Sequence, residues 1–554
     1  MRKRVTLATL AAAALLAAVF YAAPFQATPA PLAGLFPAGP LLYLEAKNFA
    51  AELRAWNASE EQRRWLASAS YDEFQRSALC LRLQGAWNEF SGAAAFVPDS
   101  ALVQSIAGSA SALAIYDIGD LQFLYVTRLP GARAMQSALW ESRAKYETRH
   151  AGGVDFFVRV DSGRTVAFAS TDDYLILGTR EELVAGTLRL LAGEPLAPVR
   201  QDAWYADTTA AAGAPGDLRL AMNLEALLKT PQFRSHWIQR NASEIRNYRA
   251  GIADLVRNSS EIREERVFLR TNPRAALTGS AESLLQLAPV SAAFTHAWSR
   301  PSAEQVAALI EQKILAPKLL PPMSNDFAPQ IYTPAAAGDE SDLETRIDEP
   351  PLAAQSTLKL DDLRRLLSAT PLAGMLQAQS GQLLADGVLV ATPTVLAVEA
   401  ERPWDSAAVR SAFTAAADSL WTTQAGAGSG WVAHQRGPRT WYSLDGLASL
   451  QLAIDGNLLL IANSEDALTG VLDRVGPRTE ASTLASAAIF RHAAAAEDYR
   501  RLMTMFDHGQ AAQRPAFFSR TLWSLSDVFH SVREVEVRTR DFGGAVSETV
   551  IYRR

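Results

Sequence analysis

Residues 156–178 read FFVRVDSGRTVAFASTDDYLILG, and residues 440–462 read TWYSLDGLASLQLAIDGNLLLIA. Each stretch contains three strand-like apolar runs separated by short polar segments, which is typical of consecutive antiparallel hairpins. The last turn is Asp172-Asp173 in the first stretch and Asp455-Gly456-Asn457 in the second. These residue types favour tight turns, because Asp, Asn and Gly tolerate positive φ. The sequence therefore predicts the same meander of strands twice.

The match extends outward on both sides of these hairpins, over Phe123–Gly193 and Val395–Gly476. Both stretches have the order strand, helix, hairpin, helix, and acidic residues occupy the first turn of each closing helix, where they complement the helix dipole. The tails also match, with Glu261–Arg270 resembling Val532–Arg538. We therefore predict an α+β protein with two related halves of antiparallel sheet, each covered on one face by helices.

The N-terminus has the pattern of a membrane signal. Arg2, Lys3 and Arg4 precede the apolar run Val5–Ala23, whose 19 residues would form a helix of about 28 Å, close to the thickness of a bilayer core. No good cleavage site follows, so we predict an uncleaved signal-anchor over residues 1–23, with the bulk of the chain in the bacterial periplasm. The alternative is a cleaved signal peptide and an exported protein.

Two proline-rich segments divide the remainder of the chain. Residues 24–40 are predicted to be a Pro-rich spacer, and residues 316–354 a Pro-rich acidic linker, because proline disfavours helix and interior strand. The first α+β half then covers residues 41–315, and the second covers residues 355–554.

Composition excludes several classes of function. A net charge of −6 over 554 residues gives no electrostatic footprint for nucleic acid. The single cysteine, Cys80, cannot form an intramolecular disulfide, and its alternating surroundings favour a buried small hydrophobe. The sequence contains no phosphate loop, no nucleophile elbow and no histidine pair at helical spacing. We predict no catalytic residue, no metal site and no cofactor.

One segment resembles a binding site. Trp431 and Trp441 flank a turn that contains Arg436 and Arg439, and exposed aromatic and arginine side chains are common anchors for protein partners. The alternative is a core tryptophan beside an ordinary hairpin loop.

The anchor (Arg2–Ala23), the spacer and the tandem units (Phe123–Gly193 and Val395–Gly476) together resemble uncharacterised exported or membrane-anchored bacterial proteins of a domain-of-unknown-function type. The resemblance implies an envelope location and α+β folding, and no activity. We expect a non-catalytic, membrane-tethered binding or scaffold protein, held in the inner membrane by residues 5–23 and serving an envelope protein partner. Two alternatives stay open: a carrier of an apolar ligand or lipid between the two halves, and a hydrolase with a dispersed site.

Overall fold

The computed structural model describes residues 31–97, 100–132, 138–231, 245–315, 360–386, 389–418, 430–444, 449–476, 482–508 and 517–554. The predicted anchor, the first part of the predicted spacer and the whole predicted linker lie outside these residues. Among the helices in the described ranges, none is both long and apolar enough to cross a membrane.

The strands fall into two sets, which we call unit 1 and unit 2. Unit 1 contains β1 (Leu42–Ala46), β2 (Ser111–Asp117), β3 (Gln122–Arg128), β4 (Glu147–Ala151), β5 (Val154–Asp161), β6 (Arg164–Ser170), β7 (Tyr174–Gly178), β8 (Leu218–Met222), β9 (Tyr248–Arg257) and β10 (Glu261–Arg270). Unit 2 contains β11 (Ala292–Ser299), β12 (Leu372–Ser380), β13 (Leu384–Asp386), β14 (Leu389–Ala391), β15 (Thr394–Ala400), β16 (Val432–Arg436), β17 (Arg439–Leu444), β18 (Leu450–Asp455), β19 (Leu458–Ala462), β20 (Leu484–Arg491), β21 (Glu534–Asp541) and β22 (Ala545–Arg553).

In the described part of the chain, these strands form one 20-stranded antiparallel sheet, and β13 and β14 form a separate hairpin. Unit 1 has the spatial order β4-β5-β6-β7-β3-β2-β1-β8-β9-β10. Unit 2 has the order β16-β17-β18-β19-β15-β12-β11-β20-β21-β22. Apart from the extra hairpin, the two orders are the same when the strands are counted along each unit. The α+β class is thereby confirmed.

The two units meet where β10 pairs with β22, and we call this pairing the seam. Glu261 lies opposite Arg553, Leu269 lies opposite Ala545, and Glu265 lies opposite Thr549 at the centre. The Thr549 hydroxyl donates a hydrogen bond of 2.7 Å to Glu265 Oε2. The nine residue pairs are centred on Glu265 and Thr549, so this antiparallel pairing has a local two-fold axis at its centre.

Sixteen α-helices surround the sheet in the described residues. They are α1 (Phe49–Ala58), α2 (Glu60–Leu66), α3 (Ala69–Arg76), α4 (Ala78–Ala94), α5 (Ser100–Ile106), α6 (Ala138–Glu141), α7 (Glu181–Leu191), α8 (Ala203–Ala212), α9 (Leu224–Leu227), α10 (Ala281–Leu285), α11 (Ala303–Ile310), α12 (Asp361–Ala369), α13 (Ser406–Asp418), α14 (Glu465–Leu472), α15 (His492–His508) and α16 (Trp523–Val528). Short 3-10 turns occur at Leu32–Gly34, Ser142–Lys145 and Val199–Gln201, and π-helical turns at Glu311–Leu315 and Phe517–Leu522.

Helices cover both faces of the sheet, whereas the sequence led us to expect one covered face. In unit 1, one core includes Val184 of α7, and the other includes Ala93 of α4 together with Phe168. In unit 2, Leu468 of α14 lies in one core and Phe413 of α13 lies in the other. Every residue of β15 and β19 is buried. An unbroken apolar strand rather than an alternating one is the mark of burial on both faces.

Two segments lie elsewhere than their sequence suggested. The end of the predicted spacer belongs to the core, because Leu32 and Phe36 are 1% and 0% exposed. Strand β11 and helix α11 fall in the predicted first half, yet β11 pairs with β12 and β20 of unit 2. Val306 of α11 also lies in a unit 2 core. The structural boundary between the units therefore follows β10.

Candidate functional site

A layer of short helices is built on the sheet from both units. We use the term helical layer for α1–α4 of unit 1 together with α15, the π-helical turn Phe517–Leu522 and α16 of unit 2. The first four helices are each started by a side-chain cap, at Asn48, Ser59, Ser68 and Ser77. Caps at this short spacing break the segment into brief helices, since each cap satisfies the free N–H groups of a new first turn.

Polar contacts join the two parts of the layer across the seam. The Ser70 amide donates to Ser524 Oγ (3.0 Å), and the Ser70 hydroxyl donates to the Thr521 carbonyl (2.5 Å). Arg64 pairs with Asp527 at 3.0 Å. Helices from both units therefore form one continuous surface.

Few side chains of the helical layer are buried. None of the residues of α1, α2, α3 or the Phe517–Leu522 turn, all of which the structure describes, is buried. Its large apolar side chains that are more than a third exposed are Trp56, Leu66, Leu81, Leu83, Trp87, Tyr499, Phe517, Leu522 and Leu525. A concentration of exposed apolar side chains on one surface marks an interaction site more often than a scattering of single residues does.

A shallow cavity of about 480 Å³, largely open to solvent, lies in the layer between α3 and α4. Its lining includes Phe74, Cys80, Leu83 and Trp87. The Cys80 thiol accepts a hydrogen bond from the Gln84 amide at 3.6 Å and has no base beside it among the described residues. The cysteine is buried, as predicted; its surroundings, however, are helical rather than strand-like. The cavity lining is apolar apart from Gln84, Asn88 and the Cys80 thiol.

The four predicted anchor residues lie in or next to the β16–β17 hairpin, but Trp431 packs against one core of unit 2 and Trp441 lies in the other. Trp441 is 4% exposed and stacks on His434, with 4.0 Å between ring centroids. The Trp431 indole donates to the Thr414 hydroxyl at 2.9 Å. The geometry is that of the alternative interpretation, a core tryptophan beside a hairpin loop.

The two arginines of this edge are likewise paired. Arg436 forms a bidentate pair with Asp473, at 2.7 and 2.6 Å, and this hydrogen bonding lowers the pKa of the Asp473 carboxyl. Arg439 contacts Asp455 at 3.0 Å and donates to the carbonyl of Leu472 at 3.1 Å. Neither guanidinium is free to bind a partner without breaking these contacts.

A second group of ionisable side chains lies inside unit 1. The Tyr43 hydroxyl donates to Glu45 Oε2 (2.8 Å), and Arg219 forms a bidentate pair with Asp254 (2.8 and 2.7 Å). Burial raises the pKa of both Tyr43 and Glu45. The Tyr43 ring packs between those of Phe36 and Tyr205, so the group stabilises the core and does not line a cleft. In the described residues, no cluster of three or more His, Cys, Asp or Glu could hold a metal ion.

Comparisons with known proteins add little to this geometry. No protein-family model matches the chain, and no curated protein is similar to it. Among solved structures, crystal forms I and III of TP0453 are similar at 12% identity and form IV at 11%. These alignments cover 45% of this chain and 82–83% of TP0453, at a TM-score of 0.24. A similarity at this level carries no argument about fold or function.

Proposed function

We propose that this chain is a non-catalytic binding or scaffold protein of the bacterial cell envelope, which docks an envelope protein partner on its helical layer. The observation that carries the proposal is a layer rich in exposed Trp, Leu and Phe, three of whose helices have no buried side chain. Burial of such side chains on docking would supply the hydrophobic stabilisation that the free layer lacks.

The tether is the second part of the proposal. Arg2–Arg4 and Val5–Ala23 have the composition of a signal-anchor, and Leu32 is already packed in the core of unit 1. Residues 24–30 could span at most about 25 Å even when fully extended. A short tether of this kind would keep the folded part of the chain close to the inner membrane and raise its local concentration for envelope partners.

We also propose that the two units arose by doubling of one ancestral unit. The equal strand order and the centred register of the seam support this origin. In such an ancestor, the strand equivalent to β10 and β22 would have paired with its own copy across a two-fold axis, as is common in symmetric dimers.

Site-specific photocrosslinking in native membranes tests the docking surface. A crosslinking residue replaces Trp87 or Leu525 in the layer, and Val160 or Val290, which are 67% and 77% exposed, serve as control positions outside it. We expect one adduct of the same mass from both layer positions and none from the controls. Equal adducts from all four positions, or none from the layer, would contradict the proposal.

A matched substitution separates docking from folding. Leu83→Ser with Trp87→Ser removes apolar surface that is already 56% and 45% exposed, so the melting temperature is expected to change by only a few degrees. The same change is expected to abolish the adduct formed from position 525. An unchanged adduct would show that α4 does not contribute to docking.

The second candidate function is a carrier of an apolar ligand, and the cavity between α3 and α4 favours it. The sequence suggested a groove between the halves; β10 and β22 are directly paired there, and the apolar cavity lies instead in the helical layer. Native mass spectrometry of the full chain, extracted in mild detergent, would show a bound lipid-sized mass if this reading holds. Leu83→Trp, which fills the cavity, is expected to remove that mass, and a clean unliganded mass for the unaltered chain would reject the carrier.

A further inference from the structure

A second, polar cleft lies in unit 1, against the face of α4 that is turned toward the sheet. It has a volume of about 580 Å³, is open to solvent on one side, and is lined by α4, the β2–β3 turn, the β5–β6 turn and the junction between β7 and α7. Helix α4 contributes Ala86, Glu89, Phe90 and Ala93, which share one side of the helix. The volume is in the range of small-molecule sites, and its walls come from four separate segments.

Some charged side chains of the cleft have partners within the protein, and others do not. Arg164 pairs with Glu89 at 2.8 Å and donates to the Asp120 backbone carbonyl at 3.0 Å, so its charge is already compensated. Arg180 and Asp120 also line the cleft, and both residues are exposed to solvent. Neither of these two groups makes an ion pair or a side-chain hydrogen bond with any residue in the described ranges. The cleft therefore presents one uncompensated positive and one uncompensated negative group.

The turn that carries Asp120 is held in an unfavourable conformation. Leu121 has a φ of +51°, a left-handed conformation that costs a leucine on the order of 1 kcal/mol or more. Thr179 fixes the turn, because its hydroxyl donates to the Leu121 carbonyl (3.0 Å) and accepts from the Phe123 amide (2.8 Å). Strain of this kind persists where the surrounding structure maintains it, and it is concentrated at binding sites.

In unit 2, the residue at the position equivalent to Thr179 makes an additional contact. Asn463 follows β19 as Thr179 follows β7, and it makes the two equivalent bonds, accepting from the Thr394 amide (2.7 Å) and donating to the Thr392 carbonyl (3.0 Å). Its amide also donates to the Lys313 carbonyl at 3.3 Å, which ties the strand end directly to the helical turn above it. Thr179 makes no corresponding bond to α4, and the cleft occupies that space in unit 1.

From this geometry we propose that the cleft binds a small zwitterion with an apolar side chain, of the amino acid or dipeptide class. The carboxylate of the ligand pairs with Arg180, the ammonium group pairs with Asp120, and the apolar side chain packs on Phe90 and Val166. Both ion pairs are at the rim, so they fix orientation, and apolar contact with the wall supplies affinity. The docking surface uses Leu83 and Trp87, which are not among the residues that line this cleft.

Isothermal titration of the full chain in detergent micelles tests the proposal with three probes: leucyl-leucine, N-acetyl-leucyl-leucine and leucyl-leucinamide. The second probe lacks the ammonium group and the third lacks the carboxylate. We expect leucyl-leucine to bind at least tenfold more tightly than either analogue. Arg180→Gln and Asp120→Asn are each expected to weaken the binding of leucyl-leucine at least tenfold. Arg189→Gln, a change on the exposed surface of α7, is expected to leave it unaltered.

Three results of these titrations would overturn the proposal. Absence of heat from leucyl-leucine up to its solubility limit would overturn the proposal, as would binding that survives both Arg180→Gln and Asp120→Asn. Equal binding of the acetylated probe would show a simple anion site and would also overturn it. Because Leu83→Ser with Trp87→Ser leaves every residue of this argument in place, loss of partner docking and loss of zwitterion binding can be told apart.

Discussion

Arg219 and Asp254 form an ion pair in the core of unit 1, and both side chains are only 6% exposed. Asp254 also accepts a hydrogen bond from the Gly216 amide at 2.9 Å. Arg219→Met leaves a buried carboxylate without its partner, which typically costs about 3–5 kcal/mol. We expect that loss in the free energy of unfolding, measured by chemical denaturation. Arg149→Met, at a site that is 50% exposed, should cost less than about 1 kcal/mol, and equal losses would show that the first pair is not insulated from water.

His296 makes the stability of unit 2 depend on pH. Burial lowers the pKa of its imidazole to about 4, and the ring lies on that of Trp298 with centroids 3.6 Å apart. The unfolded chain binds the proton near pH 6.5 and the folded chain only near pH 4, so stability is full above 6.5 and falls as the pH drops between these values. The loss approaches 3 kcal/mol in order of magnitude.

Carboxylates also titrate in this pH range. The contribution of His296 to the pH dependence of stability is therefore measured by comparing variants. The difference in unfolding free energy between pH 7 and pH 5 is expected to shrink when His296 is replaced by Phe. His530→Phe, at an exposed position, should leave that difference unaltered. If both variants behave like the unaltered chain, His296 is accessible to protons in the folded state.

At the scale of elements, the hairpins could be predicted because their signals are local. Short polar turns between apolar runs identified β5–β7 and β17–β19 and their closing helices. The tail was matched one strand out of step: Val532–Arg538 resembles Glu261–Arg270, yet the strand order makes β21 the counterpart of β9. Neighbouring antiparallel strands that alternate Val with charge look alike, and only their partners distinguish them.

The surroundings of the predicted anchor residues at the β16–β17 hairpin were harder to predict, because they too depend on partners that are distant in sequence. A period of two shows that Trp441 and Ser443 share a face, but here both faces of the sheet are covered, so alternation does not mark the exposed one. Arg436 and Arg439 find their partners Asp473 and Asp455 at separations of 37 and 16 residues, beyond the reach of a local pattern. The caps at Ser59, Ser68 and Ser77 are a local sequence signal for the short helices of the helical layer.

The helices differ in how many of their side chains are buried. Val184 and Leu188 of α7 are buried, whereas α1, α2 and α3 have no buried residue. Because local opening is easier where few apolar contacts are lost, amides of α1–α3 should exchange with deuterium about 100-fold faster than those of α7. Mass-spectrometric exchange on the full chain measures this, with α13 as a second well-packed reference. Equal protection would mean that the layer is stabilised by contacts other than its own packing.

At the scale of the whole molecule, the sequence indicated two units but not where one ends. Residues up to 315 were assigned to the first half, although β11 and α11 complete unit 2. The assignment of a strand to a sheet depends on its neighbours: β11 lies between β12 and β20, which are both far from it in sequence. Composition marks a linker by its clustered prolines, whereas the segment between β10 and β11 contains only Pro273 and Pro289.

The seam makes the two units one cooperative structure. Nine residue pairs join β10 to β22, and the helical layer crosses the same line, so we expect the unfolding of β5–β7 and of β17–β19 to coincide. Thr549→Lys places a cation opposite Glu265 and should keep that single transition. Glu265→Lys combined with Thr549→Lys places like charges directly opposite each other at the centre of the seam, which destabilises the pairing. Exchange-detected denaturation of the double variant is then expected to show two separate transitions. A single transition in the double variant would assign the coupling to the helical layer, and two transitions in the unaltered chain would contradict cooperativity through the sheet.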